Sequence, residues 1–178
     1  MYNIQELIKL EGELKLSVRK HFEDFFSKHD YTKDTKAIST KSIASLADVD
    51  GMYYGTGLYV ILSDYQAEQN KCSLIIDDLK AIYRGHCYTV KKRLKSHLFN
   101  EHYRRNLSER GVRYDVCMKL DDKNGINIDS SPYNNYRWKV VTHKMRGSSK
   151  MIREQAELAF DEVFGRPLGS REAGQTDA

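Results

Sequence analysis

Two tripeptides, Gly57-Leu58-Tyr59 and Tyr83-Arg84-Gly85, limit most tightly what this chain can become. They fall on strand candidates, Thr56 to Leu62 and Lys80 to Arg84, where β-branched and aromatic residues gather. A basic helix follows the second directly. It runs from Thr89, which can cap it, to about Asn106, with Val90, Leu94 and Leu98 facing inward and charges covering the rest. Ser73 to Ile76 reads as a further short strand. Arg113 to Leu120 and Tyr136 to His143 alternate as strands do, and between them Asp121 to Asn135 is a loop, with Gly, Asn, Ser and Pro at close intervals. A last helix begins after Ser148-Ser149 and ends by Gly165.

Ahead of this set, residues 3 to 29 form one long amphipathic helix. Ile4, Leu7, Ile8, Leu14, Val18, Phe22, Phe25 and Phe26 fall on one side, a stripe that reads as core packing. Gly12 is tolerated inside it at a cost of ~1 kcal/mol. Residues 30 to 50 are rich in Lys, Ser, Thr, Asp and Ala and read as a connector, with a short helix near Ser42 to Ala47. The order helix, strands, helix, strands, helix predicts an α+β fold, a small and mostly antiparallel sheet flanked by helices, with the amphipathic helix at the N-terminus. Residues 1–50 are then a helix and connector, 51–170 the main domain and 171–178 a flexible tail, with fraying expected from Gly169 onward.

At 178 residues, 40% of them hydrophobic and 12 of them tyrosine, the chain is long enough for one real core. It has no apolar run near the ~20 residues of a membrane span, and its first residues lack the basic and apolar regions of a secretory signal. Cys72, Cys87 and Cys117 are odd in number and widely spaced, which fits reduced thiols in a cytoplasmic protein better than a disulfide frame or a zinc site. The net charge is only +4, yet Arg84 to Arg113 holds nine Lys or Arg against two acids, a local +7. Such a run is either a solvated helix face or a phosphate-facing surface.

Two strand tyrosines, an arginine one helix on and a carboxylate on the last helix suit phosphodiester cleavage. That reaction needs a deprotonated water, a neutralised pentavalent phosphate and a stabilised leaving oxygen. A divalent metal can serve the last two, and magnesium needs only one or two protein carboxylates. On these residues the chain resembles the GIY-YIG nuclease family. Gly57-Leu58-Tyr59 stands as the first motif and Tyr83-Arg84-Gly85 as the second. Arg93 and His97 follow in Lys91-Lys92-Arg93-Leu94-Lys95-Ser96-His97. Ala156-Glu157-Leu158-Ala159-Phe160, running on to Phe164-Gly165-Arg166-Pro167-Leu168, is similar to the family's metal-binding helix and closing loop. The resemblance covers about residues 55 to 170. The chain departs from the family in three places. The two tyrosines are 24 positions apart, roughly twice the usual hairpin, so an extended loop or an extra strand is expected. Arg84 stands where an aliphatic residue is usual, and the closing asparagine would fall near Ser170.

The resemblance implies a metal-dependent endonuclease using Mg²⁺ or Mn²⁺. Tyr59 becomes the general base or the group that positions the water, and since a free phenol has a pKa near ~10, nearby positive charge from Arg93 and the metal would have to activate it. Tyr83 hydrogen-bonds the water or a phosphate oxygen, and Arg93 holds the scissile phosphate. His97, one turn up the same face, orients the phosphate, protonates the leaving group or caps the wall of the site. His86 contacts the phosphate or is a bystander. Taken alone, each of these residues reads equally as strand packing or as a solvated cation. Glu157 is favoured as the metal ligand because Phe160 and Phe164 share its face. Glu154 remains open, since Arg153-Glu154-Gln155 looks like a local triplet of homing enzymes. Arg84, Lys91, Lys92, Lys95, Arg104 and Arg105 are the expected nucleic-acid contacts. DNA is the expected substrate, with no membrane partner. A non-catalytic nucleic-acid-binding module of the same fold, and an RNA-directed nuclease or toxin, stay as alternatives. A Cys87–His86 hydrolase fits less well, because sequence neighbours rarely point together and no third group is evident.

Overall fold

The computed structural model describes residues 3–99, 117–120 and 125–172. Within them the fold is α+β, a five-stranded antiparallel sheet with four α-helices. The elements are α1 (Ile4–Lys28), β1 (Ile38–Ser42), α2 (Leu46–Asp50), β2 (Gly57–Ser63), β3 (Ile75–Ile76), β4 (Leu79–Cys87), α3 (Val90–Leu98), β5 (Trp138–Lys144) and α4 (Lys150–Phe164). The strand order is β1-β5-β2-β4-β3. No helix among the described residues is long and apolar enough to cross a membrane.

β2 is the central strand. It pairs with β4 on one side and β5 on the other, and every residue from Gly57 to Ser63 is buried. A strand covered on both faces reads as a continuous apolar run, as Leu58-Tyr59-Val60-Ile61-Leu62 does. Its alternate side chains feed two cores. Tyr59 and Ile61 join Ile82, Val140 and Trp138 under Val90, Leu94 and Leu98 of α3. Leu58, Val60 and Leu62 join Val141 and Ala81 under Ala156, Ala159 and Phe160 of α4, with Phe26 of α1 alongside. The register of β2 on β4 shifts between Ile61 and Leu62, which pair with Tyr83 and Ala81. Ile82 is the extra residue of a β-bulge. Residues 81 and 83 would otherwise share a face; the bulge sends Ala81 to the α4 side and Tyr83 to the α3 side, beside Tyr59.

The long spacing between the motif tyrosines resolves into a loop and one short extra strand. β3 turns into β4 through Asp77 and Asp78, both at positive φ (49° and 64°), the geometry of a two-residue hairpin turn that follows strand twist. Asn70 ties the loop down: its Nδ2 donates to the Ala81 carbonyl at 2.9 Å, and its Oδ1 accepts from the Leu168 N–H at 3.3 Å.

Four expectations are corrected. Residues 38–42 are not connector but edge strand β1, paired with β5 from Ile38↔His143 to Ser42↔Lys139. Only Ile38 of that strand is buried, so it lacks the apolar signature of a strand with two covered faces. The short helix follows at Leu46–Asp50, a few residues later than expected. Residues 117–120, the described part of the expected Arg113–Leu120 strand, carry no strand. The chain at Gly169 to Arg171 is not frayed: the Gly169 N–H donates to the Ile82 carbonyl at 2.8 Å, and the Ser170 hydroxyl accepts from the Arg84 N–H at 2.7 Å and covers the outer edge of β4.

The stripe of α1 is a further correction. Of its apolar residues only Phe26 is buried, while Ile4, Leu7, Ile8 and Leu14 are 74%, 53%, 57% and 53% exposed. The cause is length. A 25-residue helix spans about 37 Å and the 15-residue α4 beside it about 22 Å, so the first turns of α1 overhang. The anchored end is well held. Phe22 and Phe26 stack, Phe26 meets Phe160 and Phe164, and the Tyr31 hydroxyl pairs with buried His143 Nε2 at 2.9 Å.

Candidate active site

The motif glycines explain themselves by contact. A Cβ on Gly57 would lie 2.4 Å from the His143 carbonyl oxygen of the neighbouring strand. A Cβ on Gly85 would lie 2.6 Å from the Tyr59 hydroxyl oxygen and 3.0 Å from its Cζ. Gly85 pairs directly with Tyr59 across β2 and β4, so the ring of Tyr59 lies over the space that glycine leaves. Gly85→Ala is therefore expected to displace the Tyr59 ring and destabilise the fold by ~1–3 kcal/mol; thermal unfolding checks it, and an unchanged melting temperature would show that the ring is not held there.

On the α3 face the phenols of Tyr59 and Tyr83 lie nearly parallel, with ring centroids 6.1 Å apart. The Tyr59 hydroxyl is 2.8 Å from His97 Nε2, and the His97 ring is 4.4 Å from that of Tyr83. The result is a buried His97–Tyr59 hydrogen bond with the Tyr83 ring packed against both groups. The hydrogen-bonded pair is sealed, with His97 0% and Tyr59 1% exposed, whereas Tyr83 is only half-buried. Burial raises Tyr59 well above the ordinary phenol range, raises Tyr83 to about 12 and lowers His97 well below the ordinary imidazole range. At neutral pH all three are uncharged. The Arg93 charge pulls Tyr59 down, but desolvation is the larger effect, so Arg93 alone does not bring the phenol to ionise at neutral pH. His97 is too deeply buried to touch a phosphate and can act only through Tyr59.

Arg93 is half-buried on α3. Its charge acts on Tyr59, Tyr83, His86, Cys87 and His97, and it hydrogen-bonds Cys87, so it stands at the centre of the set.

The carboxylate reaches this group around the outer edge of β4. Arg84 and His86, two apart, turn their N–H groups outward; Ser170 takes the first, and the Glu157 carboxylate lies near the second. Glu157 is 6% exposed, 3.3 Å from Arg84 Nη1 and 3.8 Å from His86 Nε2. It is close enough that its charge raises Tyr83. Loss of solvent pushes its own carboxyl up to about 7, against the pull of Arg84. Glu154 is turned away, half-buried, with Lys150 at 3.7 Å. His86, 15% exposed at its side chain, is driven down to about 4 by burial first and then by Arg153, Lys150, Arg84 and Arg93.

Acid stability follows from these groups. His86, His97 and His143, whose rings burial lowers to about 4, well below the imidazole range and to about 3 respectively, hold stability that is fully present above pH 6.5 and lost as pH drops toward their folded values. Glu157 changes in the opposite sense between pH 7 and 4.5 and offsets part of the loss. A net fall of at least ~3 kcal/mol between pH 7 and 4 is expected, measurable by denaturant unfolding, whereas a flat profile would mean the three histidines are solvated.

Arg84 is the clearest departure from the expected nucleic-acid contacts. It is 3% exposed and faces α4, where Asp161 holds it bidentately at 3.0 and 2.6 Å and the Arg171 carbonyl accepts at 2.9 Å. It cross-links β4, α4 and the closing loop and is not a surface cation. Lys91 donates to the Asp50 carbonyl and Lys95 pairs with the Asp50 carboxylate, so both clasp the end of α2. Lys92 is exposed. Arg104 and Arg105, with the rest of the helix expected beyond Leu98, lie outside the described residues.

Arg153 is the residue the sequence reading passed over. It is 0% exposed, stacks 4.3 Å from the centre of the Tyr88 ring, donates through Nη1 to the Ser148 carbonyl at 2.5 Å and approaches His86 Nδ1 at 3.4 Å. A clue lay in its place between Ile152 and Ala156 on the inner side of α4. Among the described residues no group of three or more His, Cys, Asp or Glu could hold a metal ion. The donor set is Glu157 alone, with Oε1 toward Arg84 and Oε2 only loosely met by His86. One poorly solvated carboxylate with water for its other ligands is a set that suits magnesium. Neither a family model, nor a curated protein, nor a solved structure matches this chain.

Proposed function

We propose that this chain is a metal-dependent endonuclease of the GIY-YIG type, hydrolysing nucleic-acid phosphodiester bonds and most readily those of DNA. The observation that supports the reading best is the buried His97–Tyr59 hydrogen bond with Tyr83 stacked beside it, within electrostatic reach of Arg93 and Glu157. A strand tyrosine that merely packs needs neither a buried histidine on its hydroxyl nor a carboxylate within electrostatic reach.

In this reading the phosphate meets the half-buried rim, where Tyr83 and Arg93 lie. Arg93 offsets the charge that builds on the equatorial oxygens. The attacking water gives its proton to the Tyr83 oxygen as Tyr83, once its hydroxyl closes on that of Tyr59, passes its own to Tyr59 and Tyr59 passes its own to His97 Nε2. No phenolate has to persist, which accommodates the raised pKa of both tyrosines. The imidazolium so formed is disfavoured by burial and returns the proton when the leaving oxygen departs. Glu157 would hold Mg²⁺ or Mn²⁺, with Arg84 fixing its carboxylate. When bound, the cation would supply charge neutralisation at the phosphate and at the leaving oxygen.

The test is purified chain incubated with supercoiled plasmid and with structured RNA, with and without Mg²⁺. Nicking or linearisation that requires the metal is the expected result. Cleavage of RNA alone would move the reading to an RNA-directed nuclease, and binding without cleavage of either would move it to a non-catalytic module. Binding should weaken steeply with salt, since Lys92, Arg104 and Arg105 are expected on phosphates. Affinity unchanged from low to high salt would make the basic run a solvated face.

A further inference from the structure

The overhanging half of α1 is the feature the proposed chemistry does not use. α1 and α4 run side by side in the same direction, Arg19 donating to Gln155 and Phe26 packing on Phe160. Because α4 begins at Lys150, α1 projects past it by about 10 residues, ~15 Å of helix. The first turns carry Ile4, Leu7, Ile8 and Leu14 on one side, each more than half exposed, in line with half-buried Val18, and Glu11 lies on that same side between Ile8 and Leu14. An apolar seam of this length does not contribute to the monomer's own core.

We propose that this seam is a self-association surface, on which α1 of a second copy of the chain lies antiparallel. The helix's charge pattern selects that occupant and that direction. Residues 4–13 hold Glu6, Glu11 and Glu13 against Lys9 alone, whereas residues 14–21 hold Lys15, Arg19 and Lys20 and no acid. Antiparallel pairing sets the acidic half of each helix against the basic half of the other; parallel pairing sets like against like. Matching the halves places the two-fold axis near Gly12. That glycine has nothing of its own chain within 4 Å of where a Cβ would stand, so it places no bulk on the flank of the crossing. Leu7 then faces Val18 of the other copy. A membrane surface fits the seam less well, because its polar flank is balanced in charge rather than rich in Lys and Arg.

The test uses the full chain. Sedimentation velocity at tens of micromolar should show a dimer, and Leu7→Glu with Leu14→Glu should give a monomer with unchanged circular dichroism and melting, since both side chains are exposed. Direction is read by disulfide trapping in a Cys117→Ser background, where the remaining native cysteines, Cys72 and Cys87, are buried. Leu7→Cys and Val18→Cys proteins should cross-link when mixed and not singly, because the antiparallel axis separates the two Leu7 positions by about 16 Å. A monomeric parent, a dimer that survives the double glutamate variant, or efficient Leu7→Cys self-cross-linking, the parallel outcome, would each overturn the proposal. So would α1-dependent flotation with anionic vesicles from a monomeric parent.

Discussion

Tyr59→Phe is expected to lower the rate of phosphodiester cleavage by ~10²–10⁴ while leaving nucleic-acid affinity close to that of the parent. The hydroxyl it removes is the buried partner of His97 Nε2, and with 1% of the residue exposed no water replaces it in place. The loss leaves His97 Nε2 buried without its partner, at a stability cost of ~1–3 kcal/mol. Melting must therefore be measured alongside activity, at a temperature where the variant is fully folded. Arg93→Ala is expected to cost ~10²–10³ in rate and, because it also removes a phosphate contact, some affinity. The double variant should lose less than the sum, since both changes act on one proton-transfer and charge-neutralisation event. His97→Gln offers a sharper readout. If His97 receives the relayed proton, its variant should alter the pH dependence of the rate and not the affinity. A Tyr59→Phe protein that cuts at the parent rate would remove the relay from the mechanism altogether.

How much of this arrangement was legible in the sequence depended on whether a residue's role is local. The central strand, the first turns of α3 and the span of α4 follow from apolar runs and helical spacing, and the structure has them within one or two residues of expectation; Thr89 precedes α3 but makes no side-chain cap hydrogen bond. Tyr59, Tyr83, Arg93, His97 and Glu157 were singled out in advance, and the fold does bring them to one end of the sheet. What stayed hidden depends on partners far away in the chain. β1 is polar because it is an edge strand, so no alternation marks it. Arg84 looked like a surface cation, and only Asp161, 77 residues on, makes it a buried cross-link. The bulge at Ile82 that turns Tyr83 toward Tyr59 has no composition signal. The α1 stripe was read as core because periodicity reports an apolar face and not what covers it. The desolvation of Tyr59 stayed hidden for a different reason: spacing places Arg93 near the phenol but says nothing of how completely solvent is removed from it.

Glu157→Gln should abolish metal-dependent cleavage, and its effect on stability gives an independent check on the site. The glutamate carboxyl moves from an ordinary 4.5 to about 7 in the fold. The folded chain therefore binds that proton more tightly than the unfolded chain does. The resulting stabilisation is fully present below pH 4.5 and is lost as pH rises through 7, to the extent of about 3 kcal/mol. Glutamine is neutral at every pH and keeps an oxygen for Arg84, which Asp161 continues to hold bidentately. Glu157→Gln should thus be about as stable as the parent at pH 4.5 and more stable at pH 8 without metal. Added Mg²⁺ should raise the melting temperature of the parent at pH 8 and leave the variant's unchanged, because only an ionised carboxylate holds the cation. Glu154→Gln should behave as the parent in all three measurements, since its side chain is paired with Lys150 away from the tyrosines. Equal Mg²⁺ shifts in parent and Glu157→Gln would place the cation elsewhere, and full cleavage by Glu157→Gln with none by Glu154→Gln would transfer the role to Glu154. Without the pH-dependent stability gain, the carboxylate would have to be better solvated than its position against β4 indicates.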